Sequence, residues 1–255
     1  MKKLFALLLT FLMLPAFFVF TYAQKKTMTW TTKSDKALKL AEKGVNHMMN
    51  IEFAQAYEEF SEALELDKNF TIPLVFMANL TVGDVRKSYA ERAVKSTQGK
   101  TEGEKLFAST VAPGNTPEGN RATWEKLHNM FPDGSMIGTY YVFTRATREE
   151  TFSAAQDYTK KFPDKPWMYN SIAYYYMQDK KDYAMAKENF EKYIKLYPEG
   201  CNPYDSMGEY YFNVGDMEKS EKYYNMALEK YPFNTSSADK LKEIKIAKNK
   251  KNSDN

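Results

Sequence analysis

The chain has 255 residues, 43% of them apolar, with 36 basic and 33 acidic side chains and a formal charge of +3. This length is enough to bury one or two hydrophobic cores, and the near balance of charge argues against a dedicated nucleic-acid-binding protein, which needs a strongly basic face. Glycine and proline are sparse, with 11 and 10 residues, which favours a helical protein.

The N-terminal 23 residues have the three parts of a secretory signal peptide. Residues 2–3 are lysines, residues 4–20 are almost wholly apolar, and Thr21 and Ala23 place small side chains at the −3 and −1 positions of a cleavage site. We expect cleavage after Ala23. The alternative is an uncleaved membrane anchor, because the apolar run approaches the length of a membrane span. Pro15 within the run and the small residues at its end favour cleavage.

The residues after the signal bear on the destination of the chain. The sequence AQKK behind the apolar run is similar to that of exported proteins of Gram-negative bacteria. The only cysteine, Cys201, lies far downstream, so neither a lipid anchor at the cleavage site nor an internal disulfide is expected. We expect export to the periplasm or the exterior, without stable membrane insertion after cleavage. Residues 24–33 lack helical periodicity and are predicted to be a short leader containing Trp30.

Beyond the leader, prolines recur behind an aromatic residue. Pro132, Pro163, Pro198 and Pro232 are 31, 35 and 34 residues apart. Each follows a run rich in lysine, glutamate and aromatic residues, which predicts a helix that stops just before the proline. A period near 34 residues with a helix stop at its end indicates an array of repeated helical hairpins.

Within each predicted hairpin, small residues face bulky ones. Gly208 is opposite Tyr224, and Ala173 is opposite Phe190. In the last unit the residues resemble the tetratricopeptide repeat, position by position: Tyr204, Met207, Gly208, Tyr211, Gly215, Ser220, Tyr224, Ala227 and Pro232. The resemblance implies an all-α fold, a right-handed superhelix (α-solenoid) of helical hairpins. It also assigns most of the C-terminal tyrosines to packing between helices.

The resemblance is uneven along the predicted repeat array, residues 34–233. It is clear in residues 34–69 and in residues 166–233, where the unit beginning near Trp167 carries one inserted residue in the sequence QDKKD. Residues 70–165 match poorly and are either degenerate repeats or other helix pairs that interrupt the array. The retained spacing favours degenerate repeats.

A capping helix is predicted at residues 234–248. Thr235 or Ser236 can cap it, and its apolar residues fall on one side, as expected for a helix that covers the exposed edge of the last repeat. Residues 249–255, NKKNSDN, are polar and are predicted to be a disordered tail.

No pattern in the sequence is typical of an enzyme. The two histidines, His47 and His128, have no second ligand at metal-binding spacing. Cys201 stands at a predicted helix start, where its pKa could be lowered, but it has no histidine nearby to activate it. Nucleotide-binding and hydrolase motifs are missing from the sequence. We therefore expect no catalytic residue, no cofactor and no metal site.

The resemblance implies a concave groove lined by the first helix of each unit. The candidate partner-binding residues at these positions are Trp167, Asn170, Tyr174, Met177, Asp205, Glu209, Phe212 and Asn213. Asp205 and Glu209 replace the basic residues that would capture a carboxylate, so a basic or neutral segment fits better. In the first unit the corresponding residues are apolar, and they either line the groove or are buried: Leu38, Ala41, Val45, Met48 and Met49.

These observations favour an exported tetratricopeptide-type scaffold or adaptor that binds a peptide or helix of another protein in its groove. One alternative is an envelope protein that binds carbohydrate or another small ligand through groove aromatics, since aromatic residues make up 15% of the chain. Another is a structural spacer within an envelope complex. A nucleic-acid partner is not expected.

Overall fold

The computed structural model describes residues 25–253, so the predicted signal peptide at residues 1–23 and its cleavage after Ala23 lie outside the described residues. Within residues 25–253 the chain forms 13 α-helices and no strand. The helices are α1 Asp35–Met49, α2 Phe53–Leu66, α3 Thr71–Leu80, α4 Gly83–Lys95, α5 Glu102–Ser109, α6 Pro117–Met130, α7 Ser135–Phe143, α8 Arg148–Lys161, α9 Trp167–Tyr175, α10 Tyr183–Leu196, α11 Asn202–Asn213, α12 Met217–Lys230 and α13 Thr235–Ser253. A π-helical segment, Tyr176–Lys180, extends α9.

Successive helices pack as hairpins, from α1 with α2 to α11 with α12, and each hairpin stacks on the next. This arrangement confirms the predicted all-α solenoid. Residues 70–165, where the resemblance is weak, fold as three helix pairs: α3 with α4, α5 with α6, and α7 with α8. The poorly matching region therefore continues the hairpin pattern.

Short polar side chains and prolines set the helix ends. The side chains of Asp182 and Asp216 accept hydrogen bonds from backbone N–H groups in the first turns of α10 and α12. Thr147 begins α8 with a reciprocal bond to Glu150, which satisfies two otherwise unpaired backbone donors. At the other ends, α6, α8, α10 and α12 each stop two residues before one of the recurring prolines, as the sequence predicts.

Each well-matched hairpin crosses where a small residue meets an aromatic ring. A Cβ atom at Gly44 of α1 would lie 2.6 Å from the ring of Phe60 in α2. A Cβ atom at Gly208 of α11 would lie 2.8 Å from the ring of Tyr224 in α12. Such distances exclude any side chain larger than hydrogen unless the ring moves. The predicted contact between small and bulky residues is thus present in both terminal hairpins.

Aromatic rings join the first four hairpins into one core. Phe60 of α2 stacks on Phe76 of α3 with ring centroids 5.0 Å apart, and Phe76 lies 6.1 Å from Tyr140 of α7. Tyr140 stacks on Trp124 of α6 at 4.5 Å, and Trp124 meets Phe107 of α5 edge-on at 5.7 Å. Helix α3 lies at the centre, since every residue from Thr71 to Ala78 is buried.

Three hairpin turns share one unusual backbone conformation. Ile51, Lys181 and Gly215 each stand two residues before the first residue of the second helix, with φ angles of 64°, 54° and 82°. Glycine adopts this left-handed region freely, whereas a β-branched residue such as Ile51 is strained there. The π-helical segment Tyr176–Lys180 immediately precedes one of these turns, and it accommodates the inserted residue expected in QDKKD.

The leader is fixed to the array. The side chain of Glu104 in α5 accepts hydrogen bonds from the backbone N–H and the hydroxyl of Thr31, at 2.9 and 2.8 Å. The backbone N–H of Lys26 donates to Asp133, and Met28 is buried beside Gly103. Residues 25–33 thus lie along the start of α5 and the turn after α6.

The C-terminal helix differs from its prediction at both ends. Asn234 caps α13, because its side-chain oxygen accepts from the N–H of Ser237, whereas the sequence predicts Thr235 or Ser236 as the cap. The helix continues to Ser253, so residues 249–253 are helical where the sequence predicts a disordered tail. Ile244 is buried, and α13 packs on α12 and α11 as a cap.

The close crossing at Gly44 predicts the sign of the stability change that Gly44→Ala causes. Alanine normally stabilises a helix interior relative to glycine by about 1 kcal/mol. For Gly44→Ala we expect the opposite, a free energy of unfolding lowered by about 1–3 kcal/mol, because the new methyl group overlaps the Phe60 ring. Urea unfolding measures the difference.

Ser88→Ala, at an exposed position of α4, is the control and should lose no stability. A Gly44→Ala variant that is more stable than the natural chain would contradict the tight crossing.

Candidate functional site

A cavity of about 380 Å³ lies against α9, and it collects the candidate groove residues of that helix. We name it the α9 cavity. Helices α8 and α9 form most of its wall, and the turn between α1 and α2 contributes one residue. Its lining includes Ile51, Phe143, Arg148, Phe152, Trp167, Asn170, Tyr174 and Gln178.

Asn170 has an unsatisfied polar atom in this wall. Its side-chain oxygen is buried and has no hydrogen-bond partner among the described residues. A buried amide oxygen without a donor is costly, so such a group in a cavity wall is suited to accept an N–H from a ligand. The sequence predicted Asn170 as a groove residue, and the structure places it at the cavity.

Trp167 supports the wall through its own hydrogen bonds. Its indole N–H donates to the hydroxyls of Thr139 at 2.7 Å and Tyr158 at 3.0 Å, and only 8% of the residue is exposed. Burial raises the pKa of Tyr158 to about 12, so this hydroxyl stays protonated. With its ring enclosed, Trp167 offers no open stacking face, and the carbohydrate-binding alternative gains no support.

Tyr174 connects α9 to α11. Its hydroxyl donates to the carboxylate of Glu209 at 2.7 Å. Burial, and then the charge of Glu209, hold the pKa of Tyr174 well above its ordinary value. The exposed Asn213 donates its side-chain N–H to the backbone oxygen of Glu209 one turn earlier. The structure therefore brings three predicted residues together on neighbouring first helices.

Three other candidates are not on a free groove surface. Met177 is only 2% exposed and belongs to the core between α9, α10 and α11. Asp205 is buried under α13, where it accepts a 2.5 Å hydrogen bond from Ser237, and burial raises its pKa. Phe212 is half-buried beneath the ammonium group of Lys240. The capping helix and the next hairpin cover these positions.

The apolar groove positions of the first unit are also covered. Ala41 and Val45 are buried, and Leu38, Met48 and Met49 pack against the core. Of the two possibilities that the sequence left open for this set, the structure supports burial.

A contact that the sequence did not indicate closes one side of the site. The turn between α1 and α2 meets α10, where the hydroxyl of Tyr197 donates to the carboxylate of Glu52 at 2.9 Å. His47 Nδ1 lies 2.7 Å from the same carboxylate, and Tyr193 donates to the side-chain oxygen of Asn50 at 3.4 Å. This contact, which we call the tip contact, joins residues about 145 positions apart. It places Ile51 at the α9 cavity.

Three other candidate features, a reactive thiol, a metal site and a membrane-spanning helix, find no support in the described residues. Burial raises the pKa of the Cys201 thiol to about 12, which is opposite to the effect expected from its position at a helix start. Across residues 25–253 no group of His, Cys, Asp and Glu side chains is arranged to hold a metal ion. None of the helices in this range combines the length and apolar character that crossing a membrane requires.

No protein-family model and no curated protein matches this sequence. Solved structures are nevertheless similar in fold. A chain of the APC/C hetero-tetramer Cut9-Hcn1 has a TM-score of 0.50 at 14% identity, and the match covers 82% of this chain and 42% of that one. PilW, a type IV pilus biogenesis factor, has a TM-score of 0.48 at 13% identity, covering 82% and 99%. The first TPR of Spaghetti (RPAP3) bound to an HSP90 peptide has a TM-score of 0.39 at 23% identity, covering 43% and 86%.

These likenesses bear on fold alone. The chain has the helical-hairpin solenoid fold of tetratricopeptide-repeat proteins, which confirms the resemblance drawn from the sequence. The match to the Cut9-Hcn1 chain includes most of the present chain but less than half of the Cut9-Hcn1 chain.

The tip contact can be tested by a double-mutant cycle of Glu52→Ala and Tyr197→Phe. Because the carboxylate of Glu52 is buried and accepts the Tyr197 hydroxyl, we expect a coupling of about 1 kcal/mol or more in the free energy of unfolding.

The exposed pair Glu199 and Lys230 serves as the control cycle, with both residues changed to alanine and coupling near zero. Zero coupling for Glu52 and Tyr197 would show that the turn does not dock on α10 in solution.

Proposed function

We propose that this protein is an exported scaffold that binds an extended segment of another protein in the α9 cavity. The observation that carries the proposal is the buried, unpartnered side-chain oxygen of Asn170 in the cavity wall. A backbone N–H of a bound segment would satisfy it. Main-chain hydrogen bonding of this kind gives affinity, and the surrounding pockets give specificity.

The rest of the cavity suits one apolar side chain of the bound segment. Ile51 and Phe143 are 47% and 56% exposed at its edge, and Phe152 stacks on Tyr175 behind them. An apolar side chain placed there would cover part of this exposed surface, which is a favourable contribution to binding.

Charge at the cavity favours a neutral or basic segment. Arg148 in the lining is paired with Asp179, and Glu209, which lies beside the lining, accepts the hydroxyl of Tyr174. Among the described residues that line the cavity, Arg148 is the basic one, and because it is already paired, an internal segment fits better than a C-terminal one.

The fold supports a protein as the partner. The Cut9-Hcn1 structure is a hetero-tetramer, so a solenoid of similar fold takes part in assembly with another protein. Stacked hairpins present an extended surface without an enclosed reaction chamber, which suits binding better than catalysis. We propose the same class of role for this chain.

The binding proposal is tested with a photo-crosslinking residue at Asn170 in the native host, followed by mass spectrometry, with Asn129 on α6 as the exposed control position. The segment identified at Asn170 is then synthesised. Asn170→Ala combined with Glu209→Ala should weaken its binding at least tenfold, since a buried hydrogen bond and an ordered neighbour are lost.

Asn129→Ala combined with Glu125→Ala, the same residue types on an exposed face, should leave binding unchanged. Equal binding by both double variants, with helicity intact, would contradict the assignment of the α9 cavity.

The export proposal rests on the sequence of residues 1–23. Protein recovered from the envelope or culture fraction of the host should begin at Gln24, as read by N-terminal sequencing. A chain that retains Met1 and stays with the membrane fraction would instead support the anchor alternative.

A further inference from the structure

A second cavity, of about 610 Å³, lies between α6, α7 and α8. It shares no lining residue with the α9 cavity. Its volume falls within the range of sites for small organic ligands, about 300–1,000 Å³. Its charged and aromatic lining includes Arg121, His128, Tyr141, Arg145, Tyr158 and Lys161.

A fixed stack of side chains forms one wall. The imidazole of His128 stacks on the ring of Tyr141, with centroids 4.2 Å apart. The guanidinium of Arg145 lies 3.8 Å from the centroid of the same ring, and its Nε donates to the backbone oxygen of Tyr141 at 3.0 Å. Both basic side chains are thus held in place before any ligand binds.

Two polar atoms of this stack lack partners. Nη2 of Arg145 and Nδ1 of His128 are buried, and neither forms a hydrogen bond within the described part of the chain. Leaving such groups unsatisfied is costly, above all for a charged guanidinium. Two such atoms on neighbouring residues of one cavity point to a missing acceptor.

The basic residues of the cavity outnumber the carboxylates free to balance them. Arg121 and Arg145 have no ion-pair partner among residues 25–253, whereas Lys161 is paired with Asp133. Of the two carboxylates in the lining, Glu150 caps the start of α8 and Asp157 pairs with Lys160.

The pKa of His128 is affected by the same basic residues. Burial, together with the charges of Lys161 and Arg145, holds the pKa of His128 below its ordinary value. A bound anion would offset these charges and raise that pKa.

We propose that this cavity binds a small organic anion, whose carboxylate or phosphate oxygens accept hydrogen bonds from Arg145 and His128 and face the charge of Arg121. Planar guanidinium groups match both kinds of oxyanion, so the shared chemistry is an oxyanion carried on a molecule of metabolite size. The site is separate from the proposed peptide site, and neither proposal depends on the other.

The test uses purified protein and two probes, inorganic phosphate and citrate, compared with chloride at equal ionic strength. NMR follows the two histidines, of which His47 is the internal control because it does not line this cavity. We expect at least one probe to shift the His128 resonances in a saturable way and to raise its pKa, with His47 unchanged. A stronger response to phosphate assigns a phosphorylated ligand, and a stronger response to citrate assigns a carboxylate.

Variants make the test specific. Arg145→Gln should weaken the binding of the probe about tenfold or more, because it removes a charge-assisted donor. Arg92→Gln is the matched control, since Arg92 also lies over a tyrosine ring, Tyr89, but in α4. Arg121→Gln replaces Arg145→Gln if circular dichroism shows that the latter is misfolded.

Two results would overturn the proposal. One is the absence of a saturable His128 shift with either probe up to tens of millimolar. The other is an equal loss of binding in Arg92→Gln and in the cavity variants, which would mean that the anions only screen the overall charge.

Discussion

The structure depends on how closely the two helices of each hairpin can approach. At Gly44 and Gly208 the first helix presents bare backbone, and an aromatic ring of the second helix occupies the space of a side chain. The Ser220 hydroxyl donates to the backbone oxygen of Gly208 at 2.9 Å, so the crossing is fixed by polar as well as apolar contacts. Between the first helices of the last two hairpins, the Tyr174 hydroxyl of α9 donates to Glu209 of α11. Asn170 and Tyr174 therefore share one surface with α11.

The tip contact completes the wall of the α9 cavity. A buried carboxylate is stable only if donors surround it, and Glu52 gains one of its donors from Tyr197 in the fifth hairpin. The turn that carries Glu52 also holds Ile51 in a left-handed conformation that suits glycine, as found at Gly215. The strained isoleucine contributes apolar surface to the α9 cavity. Residues of the first hairpin thus join those of the fourth and fifth hairpins in one wall, although they are far apart in the sequence.

The sequence predicted contacts between residues that are close together along the chain, and it missed contacts between residues that are far apart. Packing residues such as Tyr224 were predictable because helical periodicity and a repeated crossing determine them locally. Asn170 and Tyr174 were found by their position in the repeat, but the same rule chose Met177 and Asp205, which neighbouring helices cover. The tip contact could not be predicted, since no local pattern links residues about 145 positions apart. The one available signal of this contact was Ile51, a β-branched residue at the turn position where the last hairpin has Gly215.

The two cavities meet at a buried hydrogen bond. Tyr158 lines the cavity between α6, α7 and α8, Trp167 lines the α9 cavity, and the indole N–H of Trp167 donates to the Tyr158 hydroxyl at 3.0 Å. Thr139 accepts from Trp167 as well, so the two rings are held by a closed network in the interior. A ligand that displaced either ring would leave buried donors unpaired. A ligand that leaves both rings in place would therefore not disturb the other cavity through this network, although α8 lines both cavities.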